Sequence, residues 1–143
     1  MSPMLKTRLR LMSSVLFGAL SLFMIWFGVT YARVTHMLWF HAAAVPERAR
    51  EDILPLYHAL MTLIGGASIA VGVLCGYVIL GPLRAGARGA GAVLALSLGI
   101  AFAMAAITAE KLAATGAPTS WHLMGILLAV TAAAYAADVM ARR

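Results

Sequence analysis

The sequence predicts an all-α integral membrane protein, a four-helix bundle with both termini cytoplasmic, and three observations predict it. The 143 residues are 63% hydrophobic and only 11% charged, with a mean hydropathy of +0.93. A soluble domain of this length needs far more charge to cover its surface, so the apolar surface must face lipid. Four long stretches are almost free of charge, each of about 20 residues or more, the length a helix needs to cross a bilayer. The basic residues gather at the ends of these stretches, unevenly between the two sides. One domain, residues 1–143, accounts for the whole chain, with spans at about 11–32, 53–81, 89–109 and 120–141.

The first span follows Lys6, Arg8 and Arg10 and carries no charge from Leu11 to Ala32. A basic start before an apolar run is also the pattern of a secretory signal. This run exceeds the usual apolar core of one, so it reads as an uncleaved anchor. Arg33, His36, Met37, Trp39, Phe40 and His41 then form the aromatic and basic mixture of the headgroup region. Pro46 stops or bends the helix, and Glu47 to Asp52 make a short polar loop or first turn.

The second span is the longest uncharged stretch, with no Asp, Glu, Lys or Arg between Ile53 and Leu83. Pro55 is expected in its first turn, where a missing N–H costs least. Gly81-Pro82, followed by Arg84 and Arg88, marks its far end. The third span closes at Glu110 and Lys111, and Gly116 and Pro118 read as turn residues. Thr119 or Ser120 is the expected cap of the fourth, which carries Asp138 near its end and Arg142-Arg143 beyond.

Lys6, Arg8, Arg10, Arg84, Arg88, Arg142 and Arg143 lie on one side, against Arg33, Arg48, Arg50 and Lys111 on the other. The positive-inside rule therefore predicts cytoplasmic N and C termini and, in a bacterium, a multi-pass protein of the inner membrane. The net charge of +6 is accounted for by these helix ends, so no nucleic-acid partner is expected. The single cysteine, Cys75, lies mid-span and reads as an inert packing residue.

Small residues recur every four positions on three of the spans. The rows are Ser68, Gly72 and Gly76 on the second, Gly91, Ala95, Gly99 and Ala103 on the third, and Gly125, Ala129, Ala133 and Ala137 on the fourth. Such rows let backbones approach closely in lipid. The first span is bulky, so the other three are expected to form the tight part of the bundle, or their grooves to form a homo-oligomer. Tyr57-His58-Ala59-Leu60-Met61 and Trp121-His122-Leu123-Met124-Gly125 open the second and fourth spans alike. A duplicated helical hairpin would place His58 and His122 at similar depth.

The candidate site is the set of polar groups on the outer side, His36, His41, His58, His122, Arg33 and Glu110. Ionisable groups at span ends are either interfacial anchors or the lining of a polar cavity. Three sharper readings stay open. His58 and His122 can supply both axial ligands of haem b. His58, His122, His36 and His41 suit zinc or copper, although His36 and His41 are five apart and do not share a helix face. A cavity lined by Arg33, Glu110 and the histidines can take an anionic or redox headgroup, with histidine moving protons. No nucleophile is specified, and no phosphate loop, dinucleotide fingerprint or zinc-protease helix is present, so no catalytic residue is assigned.

Pro46-Glu47-Arg48 in the outer loop, Gly81-Pro82-Leu83-Arg84 at the end of the second span, and Gly116-Ala117-Pro118-Thr119-Ser120-Trp121 before the fourth complete a recognisable layout. From Arg33 to Ala137 it resembles the DoxX-like small four-helix bacterial membrane proteins. The resemblance implies an accessory membrane subunit, some members being associated with thiol or quinone redox complexes. The leading expectation is an accessory or binding subunit of a membrane complex, working through the outer-face cluster with a membrane-protein partner in the lipid bilayer. A metal- or haem-binding redox protein is the alternative, and a small-molecule transporter the third.

Overall fold

The computed structural model describes residues 2–143. Helix α1 runs Pro3–Ala32, a short α2 Trp39–Ala42, α3 Arg50–Val78, α4 Ala90–Ala113 and α5 His122–Arg142. A 3-10 turn, Glu47–Ala49, leads into α3, and a π-helical turn, Ile79–Leu83, extends it. Among the described residues, α1, α3 with its flanking turns, α4 and α5 are each long and apolar enough to cross a membrane. The chain is therefore a multi-pass membrane protein, and its environment is a lipid bilayer. Four crossings put both termini on one face, here called the terminal face, and α2 on the opposite loop face.

The helices start and stop where local chemistry requires. Ser2 caps α1, its hydroxyl oxygen accepting from the Leu5 amide at 3.3 Å, with Pro3 as the first helical residue. Helix α3 begins at Arg50, which makes Pro55 its sixth residue and places it one turn deeper than the sequence suggested. Pro82 does not end the second crossing either. The ring clashes with an i−4 carbonyl in α geometry, and the chain widens into the π turn to carry on to Leu83. Gly86 and Gly89 then turn the chain with φ of 75° and 87°, a region open to glycine. The expected Thr119 or Ser120 cap is not used. Trp121 is the N-cap of α5, while the Thr119 hydroxyl donates to Ala109 O at 2.8 Å and ties the turn to α4.

Helix α1 lies between α3 and α5, and α4 packs mainly on α5. The bulky first helix is thus the centre of the bundle, not its loose member. Two close approaches explain why. A methyl group at Gly28 would stand 2.6 Å from Gly65 O, and one at Gly72 2.8 Å from Ser21 O, so the α1 and α3 backbones meet at these glycines. The Ser21 hydroxyl donates to Gly72 O at 2.6 Å across the same seam.

The core is built from large side chains. Phe17, Leu20 and Met24 of α1 meet Cys75, Ile79 and Leu83, the row Leu94, Leu98 and Phe102 of α4, and Ala134 of α5. Of the small-residue rows, Ser68, Gly72, Gly91 and Ala137 are buried, Gly76, Ala95, Gly99, Ala103 and Gly125 half-buried, and Ala129 and Ala133 exposed. Helix α4 turns Leu94, Leu98 and Phe102 inward because large side chains supply most of the dispersion contacts. The outward surface is apolar: Leu22, Leu63, Leu74, Leu96 and Ile126 are all more than half exposed, a coat suited to lipid.

Candidate functional site

The loop face is assembled from the ends of α1 and α3 and the α2 segment between them. Arg50 shapes that segment, its Nη2 donating to Ala42 O at 2.9 Å and its Nε to Val45 O at 3.3 Å. This holds α2 against the start of α3 and brings His41 onto Tyr57. Nδ1 of His41 lies 2.9 Å from the Tyr57 hydroxyl, and the Leu38 amide donates to the same oxygen at 3.2 Å. With that oxygen already accepting, the Tyr57 O–H is free to donate to Nδ1 of a neutral His41. Burial pushes the His41 imidazole below its ordinary value, which favours the same neutral form.

Aromatic rings enclose the pair. Phe40 stands edge-on to His41 at 4.4 Å, Tyr31 lies 6.5 Å away, and Phe27 stacks on Tyr31 at 4.1 Å. His58, the next residue along α3, has its ring 5.9 Å from that of Tyr57. Its Nε2 is buried and has no hydrogen-bond partner among the described residues. A buried polar nitrogen is costly unless paired, so this is the atom on the loop face with unused binding capacity.

The remaining predicted residues do not join the group. His36 is exposed, its Nδ1 3.4 Å from the Thr35 hydroxyl. His122 is exposed as well, stacked on Trp121 at 4.9 Å with Nδ1 3.0 Å from the Ser120 hydroxyl. His58 is the ninth residue of α3 whereas His122 is the first of α5, on helices separated by α1. Arg33 and Glu110 are exposed and form no ion pair among the described residues. Among those residues there is also no group of three or more His, Cys, Asp or Glu placed to hold a metal ion.

Tyr57, Tyr31 and Arg50 complete the site and were not singled out as site residues by the sequence. The adjacency of Tyr57 to His58 was the available signal; its partner His41 lies 16 positions back, and only the folded loop joins them. Comparison with protein-family models, curated proteins and solved structures found no match for this chain.

Proposed function

We propose that this protein is a non-enzymatic accessory or binding subunit of a membrane complex that engages its partner through the His41–Tyr57–His58 cluster of the loop face. The observation that carries this reading is the buried, unpartnered Nε2 of His58 beside a satisfied His41–Tyr57 pair. Trp39, on the same short helix as His41, is exposed and adds an aromatic group suited to a partner contact. The excess of basic residues on the terminal face supports an inner-membrane protein with cytoplasmic termini, so the cluster faces outward. The likeness in layout to DoxX-like proteins points to the same accessory role.

The redox reading keeps His58 as a ligand but has to draw its second ligand from His41 or from His122 across α1. A transporter is the weaker reading, because within the spans a buried acid appears only at Asp138, near the terminal face.

The test is purification of tagged protein from native membranes in mild detergent, wild type beside a His41→Ala/His58→Ala variant, with copurifying chains and metals quantified per chain. The expected result is one companion protein at a fixed ratio, strongly depleted in the variant, with no iron, copper or zinc in fixed ratio. A stoichiometric metal lost in the variant would replace the accessory reading with the redox one. A wild-type chain without any fixed-ratio companion would end it.

A further inference from the structure

The opposite end of the bundle carries a second polar site, independent of the loop-face cluster. A cleft of about 240 Å³ opens where α1, the α3–α4 turn and the end of α5 meet, lined by Arg10, Ser13, Ser14, Arg84, Asp138 and Arg142 among others. That is many times the roughly 10–15 Å³ a single water requires. Three guanidinium groups stand against one carboxylate. The carboxylate is already engaged: Arg142 Nε donates to Asp138 Oδ2 at 2.8 Å, and Arg142 Nη1 donates to Gly86 O at 3.0 Å. Arg10 and Arg84 make no ion pair among the described residues.

Ser13 supplies the second observation. It is 1% exposed, it lines the cleft, and its hydroxyl has no partner among the described residues. Other hydroxyls in these helices bond back to the carbonyl one turn earlier, as Thr30 does to Trp26 O and Thr131 to Leu127 O. Ser13 does not. A cleft whose wall holds a buried, unpartnered hydroxyl and an excess of positive charge is suited to an anionic oxygen.

We propose that this cleft binds a phosphate group, presented by the headgroup of an anionic phospholipid, through Arg10, Arg84 and the Ser13 hydroxyl. The lipid source follows from the rim. Leu11 lines the cleft and is 65% exposed, and α1 continues from it as outward apolar surface through Val15 and Leu22, a track for an acyl chain beside the headgroup. Basic pockets between spans at a membrane face recognise headgroups in this way.

The experiment is native mass spectrometry of the detergent-solubilised full chain titrated with phosphatidylglycerol or phosphatidylcholine. The variants are Arg10→Gln/Arg84→Gln and, separately, Ser13→Ala; all three positions tolerate these changes without a cavity or a new buried charge. Phosphatidylglycerol is expected to bind the wild type at one site, in preference to phosphatidylcholine. Loss of both arginines should weaken it at least about tenfold, and Ser13→Ala about tenfold, as for a hydrogen bond to a charged group. Equal binding of the two lipids, or phosphatidylglycerol binding unchanged in both variants, would overturn the proposal. So would full displacement of the lipid by millimolar inorganic phosphate, which would assign the cleft to a soluble anion.

Discussion

Adding one methyl group at Gly65 tests whether α1 is the centre of this bundle. A Cβ there would lie 2.6 Å from Gly28 O and Ala32 N and 2.7 Å from Ala32 Cβ. Two of these atoms are backbone, so no rotamer change relieves the contact, and α1 and α3 must separate by roughly 0.8 Å to restore ordinary contact near 3.4 Å. Overpacking of this kind costs about 1–3 kcal/mol. Replacing glycine in a helix returns about 0.5–1 kcal/mol, leaving a net loss of about 1–2 kcal/mol. The next residue is an internal control: a Cβ at Gly66 would meet nothing within 4 Å, so Gly66→Ala should be neutral or slightly stabilising. Cys75 is the reporter, a single thiol buried in the core on the same helix. Its reaction with a maleimide dye in micelles reports opening of the bundle, and Gly65→Ala should speed it about 5–30-fold. Equal labelling rates for the Gly65→Ala and Gly66→Ala proteins would refute the α1–α3 contact described above.

Two further outcomes follow from the loop face and the span directions. Burial lowers the His41 pKa below its ordinary 6.5. The unfolded chain therefore binds the extra proton first, so the stabilisation is complete above about pH 6.5 and is lost as pH falls through the lower folded value. Fluorescence of the loop-face tryptophans, followed from pH 7.5 to 5, should report loosening in the wild type and not in His41→Gln; identical profiles would remove His41 as the titrating group. In a Cys75→Ala background, Ala87→Cys on the terminal face should resist an impermeant thiol reagent added to intact cells, whereas Thr115→Cys on the loop face should react. The reverse pattern would invert the orientation.

The candidate site was legible only in part. His41, His58 and the aromatic belt stood out because ionisable and aromatic residues beside a span are conspicuous against apolar neighbours. Their assembly was hidden, since it depends on Arg50 folding the Ala42–Val45 segment back and on Tyr57 bridging two stretches of chain. His122 shared the sequence signature of His58, yet it opens α5 in an exposed position while His58 lies in the third turn of α3 with its Nε2 buried. The cleft around Ser13 was less visible still: Arg10, Arg84 and Arg142 lie far apart in the chain, and each alone reads as a headgroup anchor.

The sequence by itself determined that the chain carries four helices long and apolar enough to cross a membrane. That property is local: a run such as Ile53–Leu83, without an Asp, Glu, Lys or Arg, cannot be solvated by water and must satisfy its backbone as a helix in lipid. Tertiary structure alone decided which side of each helix turned inward. In lipid both sides of an apolar helix are equally well solvated, so no hydrophobic preference selects a face, and the choice falls to pairwise fit between whole helices. Gly28 against Gly65 and Ser21 against Gly72 drew the bulky first helix to the centre, Leu94, Leu98 and Phe102 filled the interior, and Ala129 and Ala133 were left facing outward.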